Sequence, residues 1–177
     1  MKIRQGFVSN SSSSSFIISH PKGEELTKES LHRAIFGSDE EQCFHPRYHD
    51  EFGVITSTFV TEYVLDAINS GHTYKTCGKI SKEQIEEVCG GHYPPGIDVP
   101  DGWRDSKYQL PDGTADWEAL DKVRHHAAAL EKARILMMMQ SADLYAVEIG
   151  DDSAWGSEME HGDPLNDSPN VIRYSNH

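Results

Sequence analysis

Three places in this 177-residue chain hold residues whose types and spacing could do chemistry. The first is a run of small polar side chains near the N-terminus, Asn10 followed by Ser11, Ser12, Ser13, Ser14 and Ser15. Consecutive N–H and O–H donors suit an anion, phosphate above all, and a serine beside a base can act as nucleophile or accept a modification. The competing reading is packing. Small side chains let another backbone come close while their hydroxyls bond to the main chain. No Gly-x-x-x-x-Gly-Lys phosphate loop and no Gly-x-Ser-x-Gly elbow accompanies the run, so packing is preferred, with Asn10 to Ser15 kept as a candidate interaction stretch.

The second place is Cys43-x-His45-x₃-His49, which Cys77, Cys89 or His92 could complete. Zinc takes thiolate sulfur and imidazole nitrogen tetrahedrally, and His-x₃-His is an acceptable ligand spacing. There is no Cys-x₂-Cys knuckle, and loop histidines beside carboxylates are ordinarily solvated, so no cofactor is expected and zinc is the alternative. The third place is the C-terminal group Asp151, Asp152, Glu158, Glu160, His161 and Asp163, with His177 ending the chain as written. Carboxylates with histidine can hold a hard divalent ion or run acid–base chemistry. If the fold brings Ser11, Ser12 or Ser13 close to His161 or His177, a Ser/His/acid site results; otherwise the group is a solvated acidic face. His125 and His126 are adjacent on a helix and point about 100° apart, so at most one joins any site.

The elements that must position these groups follow from periodicity and caps. Phe7-Val8 and Phe16-Ile17-Ile18 are aromatic and β-branched and predict two strands, the serines between them forming a loop or a strand continuation. His20-Pro21-Lys22-Gly23 breaks the second strand. Thr27 as N-cap, Leu26 with Leu31 as hydrophobic staple and Gly37 as C-terminal cap predict a helix over 28–36, burying Leu31, Ala34 and Ile35. Residues 38–53 read as an irregular acidic loop. Phe59, Val60, Tyr63, Val64, Ala67 and Ile68 recur at helical spacing and predict a helix over 57–70. The capping box Ser81-Lys-Glu-Gln84 opens another over 81–89. From 90 to 113 prolines and glycines predict a long surface excursion, pinned by Trp103 and Tyr108.

The longest helix is expected over 115–142, with Trp117, Leu120, Val123, Ala127, Leu130 and Met137 along one side. Met137-Met138-Met139 is apolar all round, which predicts burial on more than one face, as packing and not as a soft-metal site. Leu144 to Ile149 alternates as a strand, one helical turn is expected within 153–162, and Val171 to Tyr174 predicts the last strand, to about 175. Strands at both ends with helices between them give α+β: a small, mainly antiparallel sheet of three or four strands, covered on one face by helices. The length fits a single domain over 1–177.

The opening Arg4-Gln-Gly-Phe-Val-Ser-Asn-Ser-Ser-Ser-Ser-Ser-Phe-Ile-Ile18 resembles the N-terminus of a scattered set of small uncharacterised bacteriophage and bacterial proteins that share a GFVSNSSSSSF-like start. Glu160-His161-Gly162 and Val171 to His177 are similar to the ends of some of them. The resemblance spans about a fifth of the chain and implies a phage or bacterial origin. It carries no activity and no catalytic residue with it.

Sixteen Lys and Arg against 29 Asp and Glu give a formal charge of −13, which repels nucleic-acid phosphates and favours basic partner surfaces. An acidic inhibitor that fills the nucleic-acid channel of a host enzyme is one form this could take. Three cysteines, with no secretory signature, argue for a reducing compartment. No stretch approaches the ~20 apolar residues of a membrane span. The expectation is therefore a cytoplasmic, phage-encoded accessory protein that binds a host or phage protein. The alternatives are a hydrolase or phosphate-handling enzyme built on Ser11 to Ser15 with the C-terminal cluster, and a structural zinc protein.

Overall fold

The computed structural model describes residues 13–47, 53–70, 78–85, 106–150, 154–166, 168 and 170–175. Along the chain come β1 (Ser13–Pro21), α1 (Lys28–Phe36), β2 (Cys43–Phe44), β3 (Ile55–Thr56), α2 (Ser57–Ser70), β4 (Gly78–Lys79) and a 3₁₀ turn (Ser106–Tyr108). Then follow α3 (Trp117–Ser141), β5 (Ala142–Gly150), α4 (Ala154–His161), α5 (Asp163–Asn166) and β6 (Val171–Ser175). The class is α+β, as expected. Among the described residues the main sheet has four antiparallel strands in the order β4-β5-β1-β6, and β2 with β3 forms a separate two-stranded ladder.

β1 is the centre of the sheet, with β5 on one side and β6 on the other. Its register sets Phe16 opposite Val147 and Arg173, and Ile17 opposite Ala146 and Ile172. Successive strand residues face opposite ways, so Phe16, Ile18 and His20 point to one side and Ile17 to the other. Both sides are covered. Phe16, Ile18, Tyr145, Val147 and Ile149 pack with Leu31, Ile35, Val60, Val64, Met159 and Leu165 from α1, α2, α4 and α5. Ile17, Leu144, Ala146 and Ile172 pack with Ile80, Ile85 and Ile135, the last from α3. This corrects the expectation of helices on one face only. The unbroken Phe16-Ile17-Ile18 run, and apolar Leu144 and Ala146 beside Tyr145 and Val147, are what a sheet buried on both faces requires.

The helices start and stop where their caps dictate. Thr27 Oγ1 accepts the Ser30 N–H at 3.1 Å and Ser30 Oγ accepts the Thr27 N–H at 2.9 Å, a reciprocal box that fixes the start of α1. Gly37 ends it at φ 76°, a left-handed conformation that glycine adopts without penalty. Thr56 Oγ1 accepts the Phe59 N–H at 3.2 Å at the start of α2. Asp116 caps α3 by accepting the Ala119 N–H at 3.0 Å, which moves its start to Trp117. At Ser81 the side chain of Gln84 accepts the Ser81 N–H at 2.8 Å, one half of the expected box; residues 86–89 of that helix lie outside the described residues, as does Phe7-Val8.

Two other expectations change. The 38–53 stretch is not wholly irregular, because Cys43 pairs with Thr56 and Phe44 with Ile55. The Met137–Met139 end is not buried all round: Met138 and Met139 pack on the second core, but Met137 is 69% exposed. Among the described residues no helix is long and apolar enough to cross a membrane.

Candidate functional site

The serine run ends inside the sheet. Ser13, Ser14 and Ser15 open β1, with Ser13 opposite Gly150, Ser14 opposite Ile149 and Ser175, and Ser15 opposite Glu148 and Tyr174. Three segments therefore meet at one end of the sheet: the serines, the end of β5 and the end of β6. Asn10, Ser11, Ser12, Asp151, Asp152 and His177 lie outside the described residues, and so do the side chains of Ser13 to Ser15, Glu160, His161 and Asp163. His161 ends α4, which begins four residues after β5 stops. The fold thus sets Ser13 to Ser15 beside Glu148 to Gly150 and beside Tyr174 and Ser175, residues distant in sequence.

Glu158 belongs to that third group but not to a solvated acidic face. It is 1% exposed, and its Oε2 accepts the Arg47 N–H at 3.0 Å. This bond ties α4 to the segment after β2, across 111 positions of sequence. Close packing accompanies it, since a Cβ at Gly162 would clash with the Glu158 carbonyl oxygen and stand 3.1 Å from Oε2. Phe59 and Trp155 rings meet at 4.5 Å beside the same helix.

Two buried His–Ser pairs have no forerunner in the sequence reading. His32 Nε2 lies 2.8 Å from Ser57 Oγ, and its Nδ1 lies 2.9 Å from the Ser38 carbonyl. A carbonyl only accepts, so Nδ1 donates there and a neutral ring offers Nε2 to the Ser57 hydroxyl. Ser57 Oγ also accepts the Gln42 N–H at 2.9 Å, while the Ser57 N–H donates to Gln42 O at 2.9 Å. This is the pairing of a serine nucleophile with its base, yet Ser57 is 0% exposed and its hydroxyl already bridges His32 and the Gln42 N–H. It holds α1, β2 and α2 together. His20 repeats the pattern with Nε2 2.9 Å from Ser30 Oγ and Nδ1 3.1 Å from the Pro21 carbonyl, its ring edge-on to Tyr145. The signal for His20 was available in the alternation of β1, which places it on the Phe16 face.

The outer surface of α1 and α2 is acidic. Glu24, Glu25, Glu29, Asp39, Glu40, Glu41, Glu62 and Asp66 are all exposed there. Lys28 bridges to Glu62 at 2.5 Å and Arg33 to Asp39 at 3.1 Å. The Glu62 hydrogen bond holds the Lys28 ammonium above the usual lysine range. The Thr58 hydroxyl, and after it Thr56, holds the Glu41 carboxyl below the usual carboxylate range, so it stays charged.

Cys43 and His45 are exposed, while His49, Cys77, Cys89 and His92 lie outside the described residues. Among the described residues no three His, Cys, Asp or Glu side chains are grouped as a metal ion would need. His125 and His126 are both exposed on α3. Comparison of the chain with protein families, with curated proteins and with solved structures finds no match.

Proposed function

We propose that this chain is a small cytoplasmic accessory protein, phage-encoded, that acts by binding a host or phage protein through a basic surface on that partner. The observation that carries the reading is the acidic layer over α1 and α2, where eight exposed carboxylates face two bridged cations. Such a field steers a basic partner and repels nucleic acid. The closed state of the His32–Ser57 pair points the same way, since substrate has no route to a serine with no exposure. Native mass spectrometry of the untagged protein from infected cells tests it. A stoichiometric second protein is expected, released by salt and lost when Glu24, Glu25 and Glu40 become Gln and Asp66 becomes Asn. Repeated recovery of the bare chain at low salt would sink the reading.

A second reading, a hydrolase or phosphate-handling enzyme, is supported by the register that sets Ser13 to Ser15 beside the ends of β5 and β6. In it one serine of Ser11 to Ser15 is the nucleophile and His161 or His177 the base. Ester and phosphoester screens test it. Loss of turnover on Ser→Ala changes through the run is expected, and unchanged turnover would remove it.

A further inference from the structure

The two buried His–Ser pairs differ in what surrounds the hydroxyl. Ser57 Oγ accepts the Gln42 N–H and, among the described residues, hydrogen-bonds to no carbonyl. Its one proton therefore goes to His32 Nε2, and the pair is complete with a neutral ring. Ser30 Oγ has more around it. The Thr27 N–H donates to it at 2.9 Å, and the carbonyls of Glu25 and Thr27 lie at 2.9 and 3.1 Å. With the Ser30 proton on either carbonyl, the hydroxyl offers its second lone pair to His20 Nε2 at 2.9 Å, and Nε2 must donate to fill it. Nδ1 faces the Pro21 carbonyl at 3.1 Å and must donate as well. Two donating nitrogens make an imidazolium. A neutral ring leaves this network one proton short.

His20 is 0% exposed, and a buried cation is costly unless it is paired and hydrogen-bonded. Asp143 on β5 stands directly opposite His20 in the register, so both side chains leave the same face of the sheet. Lys79 of β4 bridges to that carboxylate at 2.8 Å. Tyr145, also on β5, sets its ring nearly perpendicular to the imidazole with the centroids 5.8 Å apart. Lys22, Glu24 and Glu25 lie exposed between β1 and α1, and Lys28 and Glu29 open α1 itself. Asp143 is thus the carboxylate that shares the ring's side of the sheet.

We propose that His20 is a proton-binding group inside the fold, its second proton completing the network that ties the end of β1 to the start of α1, while His32 holds one proton only. α1 carries part of the acidic layer, so a pH-responsive joint lies beneath that surface. The inference goes beyond the partner-binding reading and does not depend on it.

Long-range ¹H–¹⁵N spectra of the histidine rings in the folded full chain, taken from about pH 8 to about pH 5, are the test. As pH falls, both His20 nitrogens are expected to move into the protonated range, with slowly exchanging N–H signals and unchanged circular dichroism. His32 is expected to keep one bare nitrogen throughout. Ser30→Ala removes the acceptor of Nε2, so in that variant His20 should keep a bare nitrogen over the same range. If Ser30→Ala does not fold, the wild-type spectra decide. A bare nitrogen on His20 at about pH 5, a second proton gained only as the fold is lost, or a His32 that takes two protons alongside it would each overturn the proposal. So would a folded Ser30→Ala protein whose His20 still takes both.

Discussion

At the scale of single residues, buried polar groups here serve to join elements. Ser57 is the clearest case, since one hydroxyl meets His32 and Gln42 and its own N–H meets Gln42 as well. Ser57→Ala would leave the His32 Nε2 and the Gln42 N–H buried without partners, at a cost of about 2 kcal/mol. For a chain of this length that lowers Tm by roughly 4–8 °C. A thermal melt within a degree of wild type would show that the pair is not the clasp the distances suggest.

At the scale of elements, the junction of β1, α3 and β5 is built without a loop. α3 ends at Ser141, and Ala142 is already extended as the first residue of β5. The last carbonyls of a helix need outside donors; Lys22 Nζ supplies them, at 3.0 Å to both Met139 O and Gln140 O. Next to it Asp143 accepts from Lys79 at 2.8 Å and from the Gly23 N–H at 3.1 Å. The Lys79 hydrogen bond first, and the Gly23 N–H second, hold the Asp143 carboxyl below the usual carboxylate range. A lowered folded-state value means stability that is complete above the ordinary aspartate range, near pH 4, and lost as pH falls through the lowered value. Urea midpoints should therefore separate wild type from Asp143→Asn at pH 7 and draw together as pH falls below about 4. A gap that stayed constant between those pH values would refute the assignment.

At the scale of the whole molecule, charge is distributed by layer. The α1–α2 layer carries exposed carboxylates, and α3 on the opposite face of the sheet is neutral with its cap. A net charge of −13 repels itself, and salt screens that repulsion. Raising NaCl from near zero to physiological strength should raise Tm of the free protein, while weakening any complex made through the acidic layer. A Tm indifferent to salt would mean that the carboxylates are more evenly compensated than their exposure indicates.

Much of the architecture was legible in local chemistry. Thr27, Gly37, the helical spacing of Phe59 to Ile68 and the alternation of 144–149 are short-range signals, so α1, α2, β5 and β6 stand where periodicity and caps put them. The acidic charge and the serine run are properties of composition and needed no fold. What local chemistry cannot specify is which of two apolar stripes on one helix turns inward. Leu120, Ala127, Leu130 and Met137 read as one side, and only packing on the sheet separates the buried pair from the exposed pair. The same holds for His32 with Ser57, Glu158 with Arg47, and Ser14 with Ser175: hydrogen bonds and strand pairings between distant positions leave no mark on spacing. The sequence by itself therefore determined the elements and the charge, because these depend on neighbours along the chain. The tertiary structure alone decided which polar groups are buried and joined and which apolar stripe is left exposed, because those depend on neighbours in space.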